Sequence, residues 1–465
     1  MYIQFQQKLP VIRDVDAVVV GAGPAGLGAA IAAARNGAST LVFDAAGCIG
    51  GMATGGGVGP FMTSFDVSGE YMVVRGIFEE LVDRMVEIGG AISPAKTRNG
   101  DSYASYLRIG HNNVCPFKSD ALKIIGTRML RESGAELMLH TQFVQVLTEG
   151  SKITGVVAAN KDGLVVIKAK MVIDCSGDAD VAARAGVPFD IGDRDTGNIQ
   201  PASLFFRIGN VDTGKVTANM KEHWQEIRPF YGPFSWLLKE YANDWDNFPR
   251  GEIGVYEEVD PGIFRVNCSR ILDIDATRTG ELTRATEIGQ EQCLFIFNFL
   301  KKHAPGFENA ILLDTADTIG VRETRHIQGE YTLTGQEVYD CVLHPDAIAC
   351  MATNMDTHSK ENPGGTLHVP DKPFFDVPYG CLVAKGCDNL LVAGRAISAD
   401  ARAGSAIRMM PSCMAFGQAA GTAAAMAVRA GIPARQVPTD ELRALLKRQG
   451  AFVGEYTRSL PCEKN

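Results

Sequence analysis

The stretch Asp16-Ala-Val-Val-Val20 runs straight into Gly21-Ala-Gly-Pro-Ala-Gly26, and no other stretch restricts the fold of this chain so strongly. The valines and the glycines behind them predict a buried strand that ends in a turn. Leu27 to Ala38, LGAAIAAARNGA, is rich in strong helix formers and predicts a helix stopping at Gly37. Ser39 to Asp44, STLVFD, supplies a second strand that ends in an acid. Strand, glycine turn, helix, strand and acid are the context that a G-x-G-x-x-G needs before it reads as dinucleotide binding. Gly21 allows the tight turn, Gly23 lets backbone approach a pyrophosphate, and Gly26 lets the helix pack on the sheet. The first helical turn, with Pro24 and Ala25, offers N–H groups and partial positive charge to the phosphates. Asp44 is placed to accept from ribose hydroxyls.

Beyond Asp44 lies Ala46 to Phe61, AGCIGGMATGGGVGPF, with seven glycines in sixteen residues. By composition it is a linker; by position it is a surface stripped of side chains. Here the motifs resemble FAD-dependent oxidoreductases with a glutathione-reductase-like flavin domain, where a glycine pair follows the ribose-binding acid. Gly50 and Gly51 fall where that pair is expected. The resemblance implies that they face the pyrophosphate, with Met52, Ala53 and Thr54 approaching the flavin; the later run Gly55 to Gly59 is open to reading as a mobile edge of the site.

Two further segments carry the resemblance. Ala135 to Gly186 reads as alternating strands, with turns at Glu149-Gly150 and Lys161-Asp162-Gly163, closing in VIDCSGDAD. The likeness puts Ser176 and Gly177, with Val144 from the same meander, on the cofactor. Asp388 to Val428 contains the strand LLVAG, a loop, and a helix of small residues in which Ser412 lies in the first turn. Gly394-Arg395 stands where many members carry Gly-Asp. Together with GGMAT, IGVRETRHIQGEYTL and GSAIRMMPSCMAFGQAAGTAAA, these features resemble the branch distantly related to fumarate reductase flavoproteins. The relatives that link FAD covalently use a histidine near Met52; this chain has none before His111, so non-covalent FAD is expected.

The implied architecture is α/β. A Rossmann-like FAD-binding domain, a parallel sheet with a β-meander, is built from residues 1–190 and 374–432. An α+β substrate-capping domain spans 191–373, and a helical tail spans 433–465. Hydride transfer between flavin N5 and a small organic substrate is the expected activity, by C=C reduction or desaturation or by oxidation of an alcohol carbon. An arginine would hold a substrate carboxylate or carbonyl, and a second group would move the proton. Arg322 is the main arginine candidate, with Arg325 and Arg408 behind it; His358, His368 and Tyr379 are the proton candidates. Each has a structural alternative: ion pairing between domains for the VRETR arginines, a strand position for His358, a loop position for the others. The stretch Pro229 to Phe248 holds seven aromatics and reads as packing more readily than as a lid.

Composition removes other classes. A net charge of −9, with no dense Lys/Arg run, argues against nucleic acid as a partner and against a flavoprotein of RNA modification. An isoprenoid-lipid reductase at the membrane surface has only the aromatic stretch in its favour. Eleven cysteines show no C-x-x-C and no metal-like spacing with histidine, so no metal is expected and a thiol redox role for Cys48 or Cys413 is disfavoured. Reduced thiols, and an N-terminus without the basic and apolar regions of a secretory signal, suggest a cytoplasmic protein. Met409 to Val428 reads as a buried helix rather than a membrane span. With no second G-x-G-x-x-G, electrons are expected to pass through the substrate pocket or an unknown partner. Oligomeric state stays open, a homo-oligomer included.

Overall fold

The structure is a computed structural model that describes residues 3, 6–97, 113–223, 234–245, 248, 250–358, 366–368 and 372–454. Trp224 and part of the aromatic stretch Pro229–Phe248 lie outside these residues. In chain order the strands and helices are β1 (Val11–Val20), α1 (Pro24–Arg35), β2 (Thr40–Phe43), α2 (Ile77–Glu87), α3 (Ser119–Ser133), β3 (Glu136–Met138), β4 (Gln142–Glu149), β5 (Lys152–Asn160), β6 (Gly163–Asp174) and α4 (Asp180–Arg184). There follow β7 (Phe189–Ile191), β8 (Phe206–Gly209), α5 (Thr213–Glu222), α6 (Leu237–Glu240), β9 (Gly254–Glu257), β10 (Phe264–Asn267), α7 (Thr279–His303), β11 (Ile311–Thr315) and β12 (Arg325–Ile327). The last are α8 (Gly335–Asp340), β13 (Ala347–Met351), β14 (Met355–Thr357), β15 (Thr366–His368), β16 (Phe375–Pro378), β17 (Leu390–Val392), α9 (Ala401–Ile407), α10 (Met410–Ala430) and α11 (Thr439–Arg448).

The main sheet runs β3-β2-β1-β6-β5-β4, with β17 also on β6. Its parallel part is β3, β2, β1, β6 and β17; β4, β5 and β6 form the antiparallel meander. β6 joins the two. Its first half pairs with β5 and its last three residues with β17, while β1 runs along its other edge. This is the α/β class that the first motif predicts. Ala17 to Val20 are buried on both faces, as a central parallel strand requires. Helices α1, α2, α3 and α10 cover one face around a core that includes Leu27, Phe78, Leu122 and Phe416. The meander closes over the other, around Val18, Phe43, Val156 and Ile167.

A second layer is the antiparallel sheet β11-β8-β10-β9 with the 25-residue α7, around a core of Phe206, Phe264, Ile296 and Phe307. Cores and sequence segments do not divide alike. Leu333, Val338, Ile348 to Met351 and Met355, from the segment read as capping, pack under the main sheet. So do Leu442 and Leu446 of α11, the tail helix. Thr439, the first residue of α11, follows Pro438, and no side chain caps the turn among the described residues.

Candidate active site

The strand ends and the first turn of α1 form one end of a cavity of about 580 Å³. Gly21 has φ +100°, and a Cβ there would lie 2.4 Å from the Cys175 carbonyl oxygen; one at Gly26 would lie 1.8 Å from that of Gly21. These two glycines therefore bring β1, α1 and β6 together. Gly23 faces open space, where an added Cβ would meet only the Gly51 Cα at 3.9 Å. No side chain caps the start of α1, so its first turn is available to an anion. The Asp44 carboxylate accepts from Ala22 N at 2.7 Å and Ala46 N at 2.8 Å, and lines the same cavity.

Pro24, Ala25, Gly51, Met52, Ser176, Gly177, Gly394 and Arg395 continue this wall. Arg395 donates to Asp178 at 2.6 Å, and its Nε is buried with no partner among the described residues. A side chain at Gly177 would strike that guanidinium. A bare backbone face, an uncapped helix start, a carboxylate at the end of β2 and a partnerless buried arginine nitrogen fit an FAD extended along the strand ends. Six residues named from sequence lie elsewhere. Gly26 and Gly50 sit beneath the wall; Ala53 and Thr54 are buried behind it, with Thr54 donating to Ile49 O at 2.6 Å. Ser412 is buried in α10, and Val144 is exposed on β4.

The glycine run is tied by hydrogen bonds to its neighbours. Asp317 N and Thr318 N both donate to Gly55 O. Arg265, on β10 and 2% exposed, donates to Val58 O at 2.9 Å, Gly57 O at 3.3 Å and Phe117 O at 2.9 Å. It also pairs with buried Glu258 and lies over the Phe117 ring. Glycine is required at 59 because a Cβ there would lie 2.5 Å from the Arg265 guanidinium.

The far end of the cavity is polar and charged. Arg250, Glu252, Asn267, Arg322, Asp356, His358 and Arg408 line it. His358 Nε2 lies 3.1 Å from the Asp356 carboxylate, and Arg408 donates to the same group at 3.0 Å. Asp356 is held well below the usual carboxylate range by His358, Arg408 and Arg322, against the opposing effect of burial. Burial and the nearby Arg322 and Arg250 lower the His358 pKa; Asp356 works the other way. Its Nδ1 is buried with no partner among the described residues. Arg322 donates to Pro201 O at 2.7 Å and Ser203 Oγ at 2.6 Å, and makes no ion pair among the described residues. Burial, with Arg408 and Arg250 nearby, pulls its pKa down to about 9.

Of the four residues predicted to act on substrate, Arg322 and His358 meet in this cavity and two do not. Tyr379 is buried and gives its hydroxyl to Ala434 O at 2.9 Å, so its proton is committed to packing. His368 is exposed on β15 and sits against the Tyr339 ring. Arg325 serves the structural alternative, binding Asp178 O and Asp180. Cys175 and Cys413 line the cavity, but burial pushes the Cys413 thiol up to about 12 and Cys175 well above its ordinary value. Neither is a ready nucleophile. Sequence reading missed Arg250, Asn267, Asn354 and Asp356. Only Asp356 had a signal: it stands two before His358 in an extended run, which puts both on one face.

Residues 16–446 match the model of the FAD dependent oxidoreductase family. No curated protein matches the chain. Among solved structures, a geranylgeranyl bacteriochlorophyll reductase-like protein from Thermoplasma acidophilum is similar at 15% identity and TM-score 0.46, over 94% of this chain and 84% of that one. The flavin-dependent brominase Bmp2 is similar at 14% and 0.47, over 93% and 83%. L-proline dehydrogenase from P. horikoshii is similar at 14% and 0.44, over 96% and 100%. The family match takes in both the glycine-lined and the arginine-lined ends of the cavity, and on it the chain belongs to the FAD dependent oxidoreductase family, as an enzyme that uses FAD for oxidation and reduction.

Proposed function

We propose that this enzyme transfers a hydride between non-covalently held FAD and a carbon of a small organic substrate, with His358 moving the accompanying proton. We also read the GGMAT and C-terminal motifs as kinship with fumarate reductase flavoproteins. One observation carries the functional reading: the His358–Asp356 pair and the glycine-lined wall belong to a single cavity. FAD, when bound, supplies the hydride donor or acceptor. The chain supplies orientation and proton handling. With Nε2–H donated to Asp356, His358 presents its Nδ1 lone pair to the cavity as a base. When Nδ1 takes a proton from an alcohol or a C–H acid, Asp356 stabilises the imidazolium; in reduction the same atom returns the proton. Arg408 holds the Asp356 carboxylate in place and so sets the tilt of the imidazole.

The test is anaerobic bleaching of the flavin in the purified holoenzyme against alcohols, saturated acids and enoates, in single turnover. His358→Gln is expected to slow reduction about 100- to 1000-fold with FAD still bound, the range of a lost general base. Equal rates in H358Q and the parent protein would remove His358 from the mechanism.

A further inference from the structure

We infer that the substrate is a small monocarboxylate, and that Arg322 receives its carboxylate at the far end of the cavity. The inference rests on the hydride-transfer reading for the word substrate; the binding site stands on its own observations. Three arginines line this end, Arg250, Arg322 and Arg408, and two carboxylates, Glu252 and Asp356. The pairing is unequal. Arg250 is paired with Glu252, and Arg408 with Asp356 at 3.0 Å. Arg322 is left with a carbonyl and a hydroxyl, both neutral acceptors. His358 is no counter-ion, since an imidazole is neutral or cationic.

A cavity-lining cation with no hydrogen-bonded counter-ion is costly; Asp356 offsets that cost only from a distance while bonded to Arg408, and the other two arginines raise it by repulsion. A single anion entering the cavity removes it. The surroundings narrow the type of anion. Among the described residues, the buried Nε atoms of Arg250 and Arg408 have no partner, and neither do the side-chain oxygens of Asn267 and Asn354. Several directional polar groups around one arginine suit a planar carboxylate with a polar neighbour better than a spherical ion. Met62, Phe205, Leu282 and Ile319 line the cavity as well, and these favour a short hydrocarbon remainder. Arg322 is the one cation here without an ion pair among the described residues and calls for one carboxylate; Asp317, which also lines the cavity, disfavours a second.

The experiment titrates the flavin absorbance of the holoenzyme with monocarboxylates of two to six carbons, their isosteric primary amides, and sodium sulfate and chloride. Carboxylates are expected to perturb the spectrum saturably, and the amides to bind at least tenfold more weakly. Arg322→Met, checked for FAD content and melting temperature, is expected to weaken carboxylate binding about 10- to 100-fold, as for loss of a charged hydrogen-bond pair. Arg322→Lys should recover part of that loss. Amides binding as well as acids, sulfate or chloride binding as well as carboxylates, or an unchanged affinity in R322M would each overturn the proposal. The acid–amide comparison needs no variant, so a poorly folded R322M leaves the test intact. Carboxylate binding without flavin reduction by any member of the panel would sink hydride transfer and leave the anion site. Flavin reduction by a neutral alcohol, with no carboxylate response, would do the reverse.

Discussion

A methyl group at residue 21 has nowhere to go. Gly21 combines a left-handed φ with a neighbouring carbonyl 2.4 Å from where a Cβ would stand, and an L-residue in that conformation costs about 1–2 kcal/mol before any clash. Gly21→Ala should fold with a lowered melting temperature and leave purification with little FAD, read from the ratio of absorbance at 450 and 280 nm. A normal flavin content would refute the role given to that turn. Under the proposed mechanism His358 sets the pH dependence. Its pKa is lowered, so the base form is present down to pH values below the ordinary histidine value of about 6.5. Flavin reduction by substrate should rise with pH through that depressed pKa and then stay level; the reverse reaction should fall over the same window. H358Q should lose the limb in both directions. The glycines and Asp44 were legible because one local unit contains them all. Arg250, Asn267 and Asn354 were not, since the segment before β9, β10 and the loop before β14 meet only in the folded chain.

Helices α1 and α10 lie against each other with their backbones in contact. A Cβ at Gly417 would lie 1.9 Å from Ala25 O, one at Gly421 2.1 Å from Ala29 O, and one at Gly28 2.3 Å from Met414 O. Gly417→Ala forces the helices apart and should cost about 1–3 kcal/mol in urea unfolding; no change would mean that the contact is slack. The small-residue run in α10 was legible as a buried helix, but its partner was not, since composition carries no address. The clamp between β10 and the glycine run was hidden for the same reason. Arg265→Met leaves the buried Glu258 carboxylate with only Arg207, 3.6 Å away, and loss of about 3 kcal/mol, the low end for breaking a buried pair, is expected. A double variant, R265M with E258M, should recover much of that stability while the glycine wall stays unclamped. Full recovery of FAD affinity in the double variant would show that the clamp does not position the wall.

At the scale of the whole molecule, the family match and the parallel sheet agree with the class read from the first motif. The sequence also announced that the cofactor-side segments are far apart in the chain. What it did not announce is how far the packing crosses those segments: the 333–355 stretch and α11 both pack under the main sheet. Among the described residues no helix is long and apolar enough to cross a membrane.

The contact between α1 and α10 has a consequence in time. Residues 24–35 leave the ribosome long before residues 410–430, and β17, which completes the sheet edge beside β6, also comes late. Until then the first helix has no partner for the face that Gly28 opens, and the wall carrying Gly394 and Arg395 does not exist. The first motif to be synthesised is thus among the last to be finished. Nascent chains arrested with residue 385 as the last one outside the exit tunnel should retain no FAD; those arrested with residue 454 outside should retain it. Early retention would show that the first βαβ unit holds the cofactor by itself. The expected order makes flavin loading a late check on synthesis, one that a prematurely ended chain does not pass.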